Sequence, residues 1–259
     1  MISTLESRAA SPVFALHGWA LNAAVFAPLL DWVGGHWLMT PDLPGHGRRH
    51  AEVLGRDPAA LAARLLEEAP DEAVWLGWSL GGLVAQAAAF AAPERISALI
   101  LVATTASFIE RPGWPEGMPR DRLETMATDL ERDPETTVND FLTMQVHPSA
   151  AGRAALRGLR KALAERGQAS DEALADGLAL LETMDYRAQL ARFDKPVLVI
   201  AGGRDRLVRP EAARALAAGF PDSSLVMIEQ AGHAPFLSHP EECRTVLHNF
   251  LKTVDDGFG

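Results

Sequence analysis

Ser79 sits in the turn Gly77-Trp78-Ser79-Leu80-Gly81, a setting in which a serine hydroxyl could act as a nucleophile. Such a hydroxyl is weak until a base takes its proton, and the base needs an acid to hold its tautomer. Two later residues could fill those roles. Asp205 lies in Gly202-Gly203-Arg204-Asp205-Arg206, and His233 lies in Ala231-Gly232-His233-Ala234-Pro235. On this reading His233 accepts the Ser79 proton and returns one to the leaving group. Asp205 orients the imidazole and stabilises its charged form. The oxyanion that develops needs backbone donors. Leu80, directly after the nucleophile, offers one. Trp19, in His17-Gly18-Trp19, offers the second, with Gly18 letting the backbone come close.

These residues need elements to carry them to one place. Short apolar runs end just before each of them. Val13 to Leu16 ends at His17-Gly18, Ala73 to Leu76 at Gly77, Pro196 to Ile200 at Gly202-Gly203, and Ser224 to Ile228 ahead of Gly232-His233. Trp37 to Thr40 and Ala98 to Ala103 are further strand candidates. Helical patterns at Pro58 to Ala69, Leu80 to Ala92, Pro210 to Ala218 and Pro240 to Val254 separate them. Continuous apolar strands alternating with helices predict an α/β fold, a mostly parallel sheet covered on both faces. Ser79, Asp205 and His233 then share the carboxyl edge of that sheet, where such folds bind ligands. Residues 106–190 break the alternation. They hold no strand pattern but four helical ones, at Arg120 to Glu131, Thr136 to Val146, Gly152 to Arg166 and Asp171 to Met184. The expected organisation is a core of residues 1–105 and 191–259 with residues 106–190 inserted as a helical lid.

Other residues compete for these roles. His239 and His248 also follow the acid, but both lie at or inside the last helix. Asp194 and Asp222 precede their strands and fall on the wrong edge. His17 is better suited to orienting its loop by hydrogen bonds than to acting as a base. The Trp19 ring would either wall the pocket or pack in the core. His46 and His50 lie near Asp42, but Pro44-Gly45-His46-Gly47 reads as a turn, so no metal site is expected. No glycine-rich phosphate loop appears, so no nucleotide cofactor is expected either. The net charge of −10 argues against nucleic acid. Residues 1–8 lack a basic segment followed by an apolar one, so no secretory leader is expected. No apolar run is long enough to span a membrane; the longest is Ser97 to Thr105. Cys243 is the only cysteine, which excludes an intrachain disulfide and fits a packing role in a cytoplasmic protein.

Four segments carry a family resemblance. They are Gly77-Trp78-Ser79-Leu80-Gly81-Gly82-Leu83-Val84-Ala85, His17-Gly18-Trp19-Ala20-Leu21-Asn22, Asp42-Leu43-Pro44-Gly45-His46-Gly47 and His233-Ala234-Pro235-Phe236-Leu237-Ser238-His239-Pro240. Together they resemble the pimeloyl-[acyl-carrier protein] methyl ester esterases of biotin synthesis, members of the α/β-hydrolase fold. The resemblance implies hydrolysis of the methyl ester of pimeloyl-ACP, without a cofactor and by a monomer. It also implies a substrate pocket formed by Trp19, Ser79, Leu80, His233 and the lid residues Phe141, Leu142, Thr143, Met144 and Gln145. Lid arginines would meet the acidic carrier protein. Independently, Arg153, Arg157, Arg160 and Lys161 recur at helical spacing, a basic face on an acidic protein. Its plain alternative is a solvated helix face. Family members also carry arginines just before Phe-Leu-x-x-Gln, where this chain has Thr136 and Asp140. The rival functions are a general short-chain carboxylesterase or lactonase and a non-enzymatic ligand receptor. Dehalogenase and epoxide hydrolase chemistry is excluded, because both put a carboxylate at the nucleophile position.

Overall fold

The computed structural model describes residues 10–33 and 35–257, so the segment read as lacking a leader lies outside the described residues. In chain order the elements begin with β1 (Val13–Leu16), a 3₁₀ helix (Ala23–Asp31), β2 (Leu38–Met39), α1 (Pro58–Glu68), β3 (Ala73–Trp78), α2 (Leu80–Ala91) and β4 (Ile96–Val102). Four helices follow, α3 (Arg120–Arg132), α4 (Pro134–Met144), α5 (Ala150–Arg166) and α6 (Asp171–Thr183). The chain then returns through β5 (Val197–Gly202), α7 (Pro210–Gly219), β6 (Ser223–Ile228), α8 (Pro235–Ser238) and α9 (Pro240–Gly257).

The strands form one sheet in the order β2-β1-β3-β4-β5-β6, with every pairing parallel. β1, β3, β4 and β5 are buried along their whole length, as continuous apolar strands covered on both faces must be. One face packs against α1, α2 and α7 through Phe14, Trp75 and Leu101. The other packs against the 3₁₀ helix and α9 through Val13, Val74, Ile100 and Leu198. Cys243 lies in this second layer, and burial raises its thiol pKa to about 12. The α/β architecture expected from the sequence is therefore present. Among the described residues, no helix is long and apolar enough to cross a membrane.

Helix starts follow local chemistry. Asp57, Asp133, Ser149 and Ser170 each accept a backbone N–H at the start of a helix, and Pro58 and Pro134 sit where a missing N–H costs nothing. Two of these elements were not anticipated. The 3₁₀ helix is apolar almost throughout and contains Pro28, so it shows no amphipathic period. The four-residue α8 is too short to leave a pattern. The expected strand Trp37 to Thr40 contracts to Leu38–Met39, because this edge strand pairs with β1 alone.

Candidate functional site

β3 hands over to α2 at Ser79, whose backbone sits at φ 56°, ψ −120°, a region costly for any residue with a side chain. The flanking glycines permit it. A Cβ on Gly77 would lie 2.4 Å from the Gly81 carbonyl oxygen, and one on Gly81 would lie 2.2 Å from that of Leu16. One on Gly82 would collide with Thr104 at 2.5 Å. No side chain larger than hydrogen lets α2 settle this closely on β1 and β3. The turn is also held by its backbone. Ser79 N–H donates to Val102, and its carbonyl accepts from Gly82 (2.9 Å) and the Thr104 hydroxyl (2.8 Å).

The loops after β5 and β6 bring the other two residues to the same edge. His233 Nε2 lies 2.8 Å from Ser79 Oγ, and His233 Nδ1 lies 2.7 Å from Asp205 Oδ2. With Asp205 as acceptor, Nδ1 carries the proton and Nε2 faces the serine hydroxyl as acceptor. The second Asp205 oxygen accepts the N–H groups of Leu207 (2.8 Å) and Val208 (3.0 Å). All three residues are buried. His239, by contrast, bonds to Ser238, and His248 lies within α9.

Gly18 packs beside the nucleophile, a Cβ there standing 3.1 Å from Ser79 Cβ. Neither Trp19 nor Leu80 makes a hydrogen bond through its backbone N–H among the described residues. His17 explains the orientation of the first. Its Nε2 accepts from Leu43 N–H (2.9 Å), which leaves Nδ1 to donate to the Gly18 carbonyl (2.9 Å). Carbonyl and N–H point oppositely across a trans peptide, so His17 fixes where the Trp19 N–H is aimed. Burial, and next the neighbouring His46, hold the His17 pKa well below its ordinary value, keeping this bonding pattern intact. His46 is also buried and neutral, its pKa lowered to about 4 mainly by burial. Among the described residues no cluster of potential ligands could hold a metal ion.

Helices α4, α5 and α6 meet this edge through contacts to Trp19, Asn22 and His233. The Trp19 indole donates to the Leu174 carbonyl of α6 (2.8 Å) and packs edge-on against Phe141 of α4, centroids 4.8 Å apart. A Cβ on Gly177 of α6 would strike Trp19 at 2.5 Å. The Gln145 carbonyl accepts the His233 N–H (2.8 Å). Asn22 donates to the carbonyls of Ala162 and Gly167 at the end of α5 (2.9 and 2.8 Å).

Of the five expected lid residues, then, Phe141 reaches Trp19 and Gln145 reaches His233. The Gln145 amide is buried without a partner. Leu142 turns into the core layer shared with α9, Thr143 is exposed, and Met144 lines a cleft of about 660 Å³. Thr136, Asp140 and Arg206 line the same cleft, but Ser79, Trp19 and His233 do not. Arg153, Arg157 and Arg160 lie exposed on α5 and form no ion pair among the described residues, whereas Lys161 pairs with Glu165 (3.4 Å). α5 packs against α8, which directly follows the His233 loop.

The profile of the alpha/beta hydrolase family matches residues 13–246. The chain belongs to the alpha/beta hydrolase family. Within it, the pimeloyl-[acyl-carrier protein] methyl ester esterase of Xanthomonas campestris pv. campestris (strain B100) is 42% identical over 244 residues, covering 92% of this chain and 94% of that protein. The enzyme of the same name from Aliivibrio salmonicida (strain LFI1238) is 37% identical over 247 residues, covering 95% and 94%. Among solved structures, an esterase from Exiguobacterium antarcticum superimposes with a TM-score of 0.84 at 23% identity, over 93% of this chain and 92% of that one. This hydrolase also contains site features that the sequence did not announce. Asn22 and Gly177 act through contacts with segments far away in the chain, partners that no local sequence pattern identifies.

Proposed function

We propose that this protein is a serine carboxylesterase that hydrolyses the methyl ester of pimeloyl-ACP methyl ester, releasing pimeloyl-ACP and methanol. The observation that carries the chemistry is a buried serine in a strained turn, 2.8 Å from an imidazole whose other nitrogen lies 2.7 Å from a carboxylate. Ser79 Oγ attacks the ester carbonyl while His233 Nε2 takes its proton. The N–H groups of Trp19 and Leu80 receive the oxyanion, aided by the positive end of α2. The tetrahedral adduct collapses, and methanol leaves with the proton held by His233. Water, deprotonated by the same nitrogen, then cleaves the acyl-serine, and the distal carboxylate is freed. Asp205 keeps Nδ1 protonated throughout.

The substrate assignment rests on the curated relatives named for that ester, at 37–42% identity. The exposed Arg153, Arg157 and Arg160 of α5 are the surface we assign to the acidic carrier, since unpaired cations speed encounter with an anionic partner. Biotin synthesis in the cytoplasm, by a monomer, is the corresponding role.

One observation favours a general carboxylesterase or lactonase for free metabolites. Thr136 and Asp140 line a cleft where Asp121, Asp129 and Asp133 face Arg122, Arg132 and Arg206, a nearly balanced set of charges that offers an acidic carrier no net attraction. Kinetics with methyl pimeloyl-ACP against the free dimethyl ester separate the two readings. The carrier-bound ester should have the higher kcat/KM, and the double variant Arg153→Glu, Arg157→Glu should remove that advantage while sparing the free ester. No carrier advantage would favour the second reading. Ser79→Ala should lower activity on any ester by about 10³-fold or more, and should fail to complement a biotin-requiring strain lacking this esterase.

A further inference from the structure

His233 is held by its backbone as well as by its ring. Its N–H donates to the Gln145 carbonyl at the end of α4, and its carbonyl accepts the indole Nε1–H of Trp78 at 2.8 Å. The loop that carries His233 lies outside the sheet, so no ladder bonds fix this residue. Asp205 and Ser79 set the ring's angle, but they meet only the ring. The two backbone bonds hold the pivot about which it turns.

Trp78 is the last residue of β3 and directly precedes Ser79. One turn thus presents the hydroxyl that the imidazole serves and the donor that fixes the imidazole's main chain. The indole is fully buried, with its ring 5.9 Å from that of His233 and edge-on to Phe236 at 5.1 Å. Burial of a tryptophan does not by itself produce such a bond here. Trp75, three residues earlier on the same strand, is buried as completely, and its Nε1 has no partner.

We infer that Trp78 is a positioning residue for the general base, locking the His233 carbonyl so that Nε2 stays in line with Ser79 Oγ. This role rests on the proposed Ser79–His233 chemistry. Trp78→Phe keeps an aromatic ring in the core but removes the donor together with part of the indole's volume, a packing loss for which Phe236→Leu is the control. It should lower kcat on a chromogenic short-chain ester, and the rate of fluorophosphonate labelling at Ser79, by about 10- to 100-fold, with KM within about twofold, because small misplacements of reacting groups cost rate rather than binding. Phe236→Leu loosens the same packing but leaves the Trp78–His233 bond in place, so it should lower Tm without that loss of kcat. Equal losses of kcat in both variants, or full kcat and labelling rate in Trp78→Phe, would overturn the inference. Should Trp78→Phe fail to fold, deuterium exchange in the wild type decides. The Trp78 indole proton must be strongly protected, and fast exchange would show that the bond is not made in solution. A wild-type protein that does not react with the probe at Ser79 would instead remove the chemistry itself. Normal wild-type labelling together with unimpaired Trp78→Phe would remove only the role of Trp78.

Discussion

Acid should unfold this protein through two histidines that transfer no proton in the proposed reaction. His46 is wholly buried, with its Nδ1 bonded to the Pro44 carbonyl at 2.9 Å and its Nε2 unpaired. Its pKa falls from 6.5 to about 4, first because burial disfavours the charged ring. The His17 ring, 5.2 Å away, is shifted in the same direction. Below 6.5 an unfolded imidazole binds a proton that the folded His46 refuses until about 4. The unfolded state therefore holds more protons in that window, and stability falls as pH falls. Going from about pH 7.5 to about pH 5, the linkage relation gives a loss of about 2 kcal/mol at His46 alone. His17 adds to the loss in the same sense. Urea unfolding at both pH values, in wild type and His46→Asn, isolates the term. The asparagine amide can replace Nδ1 but does not titrate. The variant should be less stable at neutral pH because it is smaller. Its further loss on acidification should be smaller than that of wild type by about 2 kcal/mol. Identical losses on acidification in the two proteins would refute the reasoning.

Four substitutions test how helices α5 and α6 are attached to the rest of the protein. Gly177→Ala would normally stabilise a helix by about 1 kcal/mol, but Trp19 is fixed by Leu174 and Phe141 and cannot retreat from the new methyl group. A net loss of about 1–3 kcal/mol is expected by urea unfolding, and a gain would show that Trp19 can move. Asp176 of α6 accepts from Gly55 N–H (3.0 Å) and Arg56 Nε (2.7 Å), so Asp176→Asn should destabilise by about 1–3 kcal/mol. Arg56→Ala should cost less, since its side chain is 67% exposed, and the opposite ranking in thermal melts would count against this latch. Asn22→Ala removes both donors to the end of α5 and should speed proteolytic cleavage near Gly167 without altering the far-UV spectrum. An unchanged cleavage rate would show that α5 is anchored elsewhere.

Much of the candidate site was legible because its residues sit at punctuation marks. Ser79, Asp205 and His233 each follow a short apolar run and a glycine, and parallel strands put all such junctions on one edge. His17 was legible as a loop-orienting residue for the same reason. The lid residues were less legible. Phe141 and Gln145 meet Trp19 and His233, but Leu142 turns into the core and Thr143 faces solvent, because neighbouring positions on one helix point in different directions.

By itself the sequence determined the α/β alternation, the strained turn at Ser79 and the inserted helices, all of which depend on local pattern and on glycines that nothing larger can replace. Only the tertiary structure decided which far-apart groups meet. The Trp78 indole reaches the His233 carbonyl, Asn22 reaches the end of α5, and Gly177 makes room for Trp19. A hydrogen bond or a close packing contact needs partners placed to within about an ångström. Residues separated by more than a hundred positions meet that closely only when the sheet, the loops and the lid have all been packed.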